Sequence, residues 1–162
     1  MTSTLTRDFL IRALPADVLD RARTGWSDAS GSPAEHVTAS GGEPLRCCLR
    51  DARPGEDLVL FAYAPPDTAG PYQEVGPVFA HAEPCRGYAG TDRYPPEWLG
   101  RPQVLRAYDS RGRIHEATRV HDGLDPEAEI AEVLGRPGVV AVHSRNVAYG
   151  CFMFAVTRRP AG

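Results

Sequence analysis

His81 closes a short apolar run, Pro77-Val78-Phe79-Ala80, and Cys85 follows four residues later. A second pair, His143 and Cys151, stands toward the other end of the chain. Two histidines and two cysteines are an accepted ligand set for zinc. Neither spacing is that of a zinc finger, in which one pair has only two to four residues between its cysteines. If the last segments form a hairpin, His143 faces Cys151 in one register, and a one-residue slip puts Phe152 there instead. Zinc held by His81, Cys85, His143 and Cys151 is therefore a subordinate expectation. No residue is assigned as a metal ligand on this basis.

The same residue types allow nucleophilic or acid–base chemistry. A thiol becomes a nucleophile when a neighbouring imidazolium or a helix N-terminus favours its thiolate. Cys85 lies beyond the apolar run and beside Arg86, so it is the more exposed candidate, with His81 or His143 as its base. Of the adjacent Cys47 and Cys48, one must face inward on a regular strand, because neighbouring side chains alternate. Cysteine also packs well as a small apolar residue, and Cys151 in "GCFMF" suits that role.

A third chemistry is anion recognition. All 18 basic residues are arginine, so a lysine Schiff base and a P-loop lysine are both excluded. Arg46 precedes the cysteine pair, and Arg106 interrupts the apolar stretch "VLRAYD". An arginine in a half-buried strand needs a counter-charge, supplied by a ligand or by an internal carboxylate. Tyr72, in "GPYQEVGP", offers a phenol to orient such a ligand.

Composition narrows the classes. The 162-residue chain has a formal net charge of −3 and a charged fraction of 24%. It carries no basic excess and no aromatic pattern beside a basic stripe, which argues against a nucleic-acid partner. The opening "MTSTLTRDFLIRALPADVLD" has no basic region followed by an apolar core, and no segment approaches a membrane span. A cytoplasmic protein with no membrane partner and mostly reduced cysteines is the expectation. Nucleotide-binding glycine motifs, the G-x-S-x-G elbow and H-E-x-x-H are all missing, and the sequence names no cofactor.

The elements that must position these groups are mostly strands. "DFLIRALP" alternates as a first strand, and "PADVLDRARTGW" has helical spacing with Gly25 as its stop. Ser27 to Pro44 reads as a long loop. "LRCCLRDA", "DLVLFAYAP" and "GPVFAHAE" read as strands, the first two joined by the turn "RPGE". A hairpin is predicted around Asp109-Ser110-Arg111-Gly112, and a short helix runs from the cap Asp125 to Gly135. "VVAVHSRN" and "YGCFMFAVTR" form a closing hairpin. The stretch "CRGYAGTDRYPPEWLGRP" reads as surface loop pinned by Trp98 and Leu99. The predicted fold is α+β in a single domain over 1–162: a mainly antiparallel sheet of about six to seven strands with one helix near each end.

Four blocks carry a family resemblance: "LRCCLRDARPGEDLVLFAYAP", "GPYQEVGPVFAHAEPC", "LRAYDSRGRIHEATRV" and "VHSRNVAYGCFMFAVTR". In order and spacing they resemble a bacterial family known as domain of unknown function 1203. The resemblance implies a bacterial cytosolic protein and transfers no activity. It directs attention to Arg46, Cys48, Gly55, Glu56, Tyr72, Gly76, Pro77, His81, Cys85, His143, Gly150 and Cys151. One departure is Leu45, where the family pattern has a cysteine before Arg46. The leading expectation is a small-molecule enzyme or binding domain for an anionic metabolite. His81, His143 and Cys85 would be catalytic, and Arg46, Tyr72 and Arg106 ligand-binding. The alternative is a non-catalytic interaction domain, homodimeric through a strand edge.

Overall fold

The computed structural model describes residues 7–25 and 27–160. Its architecture is α+β, with ten strands in two five-stranded sheets rather than one sheet of six or seven. The first sheet is wholly antiparallel. It runs in the order β1 (Phe9–Arg12), β10 (Phe152–Arg158), β9 (Ala141–Asn146), β7 (Gln103–Tyr108), β8 (Arg119–His121). The second runs β2 (Glu35–Thr38), β5 (Asp57–Tyr63), β6 (Gly76–His81), β3 (Pro44–Leu45), β4 (Arg50–Asp51), with a parallel β3–β6 contact. Helix α1 (Ala16–Arg23) follows β1, whereas α2 (Pro126–Leu134) is inserted between β8 and β9 and so is not terminal.

Two local predictions change. The presumed loop from Ser27 contains β2, an exposed edge strand paired with β5. Its exposed residues leave no apolar alternation to read, and its order comes from pairing. "LRCCLRDA" is not one strand but two short ones separated by a turn. The other forecasts hold more closely. Gly112 N–H donates to Asp109 O at 3.0 Å in the predicted turn. Asp125 precedes α2, although its side chain makes no capping bond. Trp98 is fully buried, but Leu99 is half exposed and pins nothing. Among the described residues, no helix is long and apolar enough to cross a membrane.

Each sheet has its own apolar core. Ile130, Val133 and Leu134 of α2 join Phe9, Ile11, Leu105 and Phe154 in the first; Leu19 and Ala22 of α1 join Leu58, Val59 and Val78 in the second. Strand β10 serves both. Phe152 pairs with Arg145 and Phe154 with Ser144, so Met153 is an extra residue in the ladder. That bulge breaks the two-residue alternation. Phe154 therefore enters the first core and Phe152 the second, where its ring meets Tyr63 with centroids 5.4 Å apart. The bulge also sets the hairpin register. His143 faces Ala155, not Cys151 or Phe152, so neither register considered above is formed.

Gly123, in the connection to α2, illustrates how closely the backbone packs. Its φ is +82°, and a Cβ there would lie 2.4 Å from Arg101 N. Gly31 has φ +83° but open space around it. Gly31→Ala is expected to cost about 1 kcal/mol from backbone strain alone, and Gly123→Ala more than about 2 kcal/mol, because backbone must move. Urea denaturation of the two variants measures the difference; equal costs would rule out the close approach as the cause.

Candidate metal centre

The site begins with the turn that interrupts "LRCCLRDA". Leu49 N–H donates to Leu45 O at 3.0 Å, closing one helical turn, and Leu49 itself has φ +55°. A leucine in that region costs about 1–2 kcal/mol. It is held there because its side chain is buried in the first core, while Leu45 and Cys47 are anchored in the second. On a strand, Cys47 and Cys48 would point to opposite faces. On this turn their Sγ atoms are 3.9 Å apart.

Strand β6 brings the third group. Arg46 N–H donates to Phe79 O at 2.9 Å in the parallel pairing, which sets the turn beside the end of β6. His81 Nδ1 then lies 3.6 Å from Cys47 Sγ and 3.8 Å from Cys48 Sγ. The His81 backbone N–H also points at Cys47 Sγ, at 3.3 Å. Cys85, on the exposed loop after β6, folds back so that all four ligand atoms lie within 4.8 Å of one another. Among the described residues, no other group of three or more His, Cys, Asp or Glu side chains is gathered in this way.

The histidine is oriented from behind. His81 Nε2 lies 2.8 Å from Glu56 Oε2, which also accepts from Arg50 Nη2 at 2.9 Å. Glu56 Oε1 accepts from Arg50 Nη1 at 3.0 Å and from the Arg53 backbone N–H at 2.6 Å. The Arg53–Glu56 turn positions this carboxylate, with Gly55 at φ +89°. Arg50, then the Arg53 amide, hold the Glu56 carboxyl well below the usual carboxylate range. A persistent carboxylate on Nε2 fixes the proton there and leaves Nδ1 as a lone-pair donor toward the thiols. This is the arrangement by which a carboxylate orients a metal-binding imidazole.

The thiols resist ionising together. The hydrogen bond from Cys48 pulls the Cys47 thiol down, aided by the His81 backbone N–H, while burial opposes it. Cys48 is driven up, by that same bond first, then by burial and by the charge of its cysteine neighbours. Ionisation of Cys47 is thus favoured at the expense of Cys48. A divalent ion would reverse that repulsion, and Cys47, Cys48 and Cys85 could then each serve as a thiolate ligand.

The three separations among Cys47, Cys48 and His81 fit the edges of a single tetrahedral ion, and Cys85 lies within 4.8 Å of each. With zinc–sulfur bonds near 2.3 Å and zinc–nitrogen bonds near 2.0–2.1 Å, tetrahedral edges are about 3.8 Å for S···S and about 3.6 Å for S···N. The observed 3.9, 3.6 and 3.8 Å match them. An iron–sulfur cluster would need its cysteines spread around several irons.

A profile of the family described as "Protein of unknown function (DUF1203)" matches residues 42–158. The chain belongs to this family. All four gathered residues, and Arg50 and Glu56 behind them, lie inside the matched segment. Comparison with curated proteins and with solved structures gives no match.

The residues singled out in the sequence divide into separate places. His81 and Cys85 come together. His143 is fully buried on the first sheet, where its Nε2 contacts Asp67 Oδ2 at 2.9 Å and its ring packs between Tyr108 and Phe152. It does not join His81. Cys151 lies in the connection between β9 and β10, its Sγ against Tyr149 O. Arg106 pairs across the ladder with His143. Tyr72 sits in a 3-10 turn, partly exposed. Arg46 is buried without a carboxylate partner among the described residues. Sequence reasoning missed Cys47 as a partner of Cys48, and the roles of Glu56 and Arg50. The available signal was the cysteine pair followed by the "RPGE" turn, had the pair been placed on a turn.

In chelator-treated protein, thiolate absorbance near 240 nm is expected to show one thiolate forming below the usual cysteine range of about 8.5. Cys47→Ser should remove that step. Cys48→Ser should remove the donor that favours it and move the step upward. A wild-type titration with no step below about pH 8 would rule out this charge arrangement.

Proposed function

We propose that this protein is a mononuclear zinc protein, with Cys47, Cys48, Cys85 and His81 Nδ1 as ligands. The observation that carries the proposal is the match of the three sulfur and nitrogen separations to tetrahedral edges. Three thiolates and one imidazole favour zinc over the hard cations, which prefer oxygen. Four protein ligands close the coordination sphere, the pattern of structural rather than catalytic zinc. The ion would tie three segments together: the turn after β3, the end of β6 and the loop carrying Cys85. Arg50 beside Cys48 offsets part of the excess negative charge of a tris-thiolate centre. Relative to the sequence-based zinc set, His81 and Cys85 are kept, while Cys47 and Cys48 replace His143 and Cys151.

Acid–base catalysis on an anionic metabolite draws less support. His81 has both ring nitrogens facing partners, and His143 is sealed inside the protein with Nδ1 unpartnered.

Protein purified without added metal should carry about one equivalent of zinc by elemental analysis, as tight thiolate binding requires. Less than about a tenth of an equivalent, with no gain on reconstitution, would end the proposal. Cobalt substitution should give intense visible bands of a tetrahedral thiolate complex.

Glu56→Gln should weaken zinc binding by about 10–100-fold in competition with a chromophoric chelator, since it removes only the outer carboxylate. Cys48→Ser should weaken it more. Acidification should release the ion, because protons compete for thiolates and imidazole. Glu56, already held ionised to well below its ordinary range, should not set the midpoint. An unchanged affinity in Glu56→Gln would exclude the carboxylate's orienting role.

A further inference from the structure

The residue before the cysteine pair carries a charge that the metal centre does not use. Arg46 is 2% exposed, the most deeply buried arginine among the described residues. Its Nε donates to Phe152 O at 2.7 Å and its Nη1 to Pro44 O. Both acceptors are neutral carbonyls. No carboxylate forms a salt bridge with it among the described residues, where Arg50, Arg53, Arg119 and Arg145 each have one. Its Nη2 has no hydrogen-bond partner there, yet it is not among the sealed, unsatisfied atoms. Arg145 is the next most deeply buried arginine, at 6% exposed. Arg145 is itself neutralised by Glu74, with both Nη–O distances 2.6 Å. A buried charge without a counter-ion is unfavourable by several kcal/mol.

Arg46 lines a cavity of about 370 Å³ between the loop before β3, the outer part of β6 and the β9–β10 hairpin. That is within the usual range of about 300–1,000 Å³ for small-molecule sites. Pro44, Pro77, Phe79 and Tyr149 give it apolar walls, and Cys151 borders it. Glu43 also lines it, but its two oxygens accept from the Ser40 and Gly41 amides at 2.8 and 2.9 Å. The acidic group at hand is thus turned into its own loop and does not neutralise Arg46. Tyr149 is 86% exposed and stands at the mouth.

We infer that this cavity is a ligand site for a small organic acid, whose carboxylate meets the free edge of Arg46 and whose apolar body lies against Phe79, Pro77 and Tyr149. The charge demands an anion, and the walls demand apolar surface attached to it. The site shares no lining residue with the proposed metal centre.

The test uses the full chain as purified, with benzoate and acetate as probes at ionic strength matched by sodium chloride. Chemical-shift titration in ¹⁵N-labelled protein should show saturable shifts at the Arg46 side-chain Nε–H and at the Gly41, Gly42, Tyr149 and Cys151 amides. Benzoate should bind about tenfold or more tightly than acetate, the ratio for a gain of about 1.4 kcal/mol from burying the ring. Arg46→Met should abolish the saturable shifts. If that variant does not fold, the wild-type Arg46 Nε–H resonance still decides. No saturable shift there with benzoate at about 50 mM, a concentration that would reveal even millimolar affinity, overturns the inference. So does equal affinity for acetate and benzoate.

Discussion

The site depends on one contact, the parallel pairing of β3 with β6. It is short: Leu45 opposite Phe79, with Arg46 N–H donating to Phe79 O. A parallel contact between strands separated by β4 and β5 cannot come from a tight hairpin. It requires the chain to leave β3, turn back through β4, cross to β5 and return through β6. The result is that residues 47 and 48 stand beside residue 81. The cost of the arrangement is concentrated at Leu49, whose positive φ is tolerated because the buried side chain has nowhere else to go. Strain at such a position is sustained by the surrounding packing. The turn is anchored in both cores, so the thiols it carries are fixed relative to both sheets.

The second constraint is charge. Cys47 and Cys48, packed with Cys85 and His81 within 4.8 Å, oppose each other's ionisation. The protein supplies two positive groups nearby, Arg50 beside Cys48 and Glu56, and Arg46 at residue 46 of the same turn. They play different parts. Arg50 is tied bidentately to Glu56, which in turn orients His81, so its charge is largely spent on holding the imidazole. Arg46 turns to the carbonyls of Pro44 and Phe152 and to the cavity. The division explains why two arginines so close in sequence are not interchangeable. Each fork is fixed by its own planar geometry.

Part of the sheet structure was legible because strands with one buried face announce themselves by alternation, as β5, β6 and β7 largely do, whereas β9 is buried at five consecutive positions and reads only as a continuous run. The family membership was legible for a similar reason, since the four blocks quoted span these strands and their turns. The division into two sheets was not. It rests on β2, an exposed edge strand with no apolar signal, and on two-residue strands that no periodicity can reveal. The site was half legible. His81 and Cys85 share one local segment, and both were singled out. Cys47 and Cys48 were read as strand neighbours pointing apart, and a single helical turn reversed that geometry. His143 and Cys151 looked equivalent to the first pair in composition. The bulge at Met153 shifts their register within the hairpin, and Asp67, 76 residues away in the chain, takes the histidine.

The adjacency of the two sites follows from the same backbone. Arg46 uses its amide to pair with β6, its carbonyl to accept from Leu14, and its side chain to reach Phe152 at the edge of the bulge. Cys47 and Cys48 come next, on the opposite task. A segment of four residues thus joins the first strand–helix connection, the second sheet and the closing hairpin. Fixing the thiols with an ion would restrict the φ and ψ of the turn and, through them, the direction in which Arg46 leaves the backbone. Filling the cavity would act on the same turn from its other end. Coupling of this kind is reciprocal by thermodynamic necessity: whatever factor one ligand exerts on the other's affinity is returned unchanged. In this fold it would pass through residues 45–49, because they are the segment that touches both.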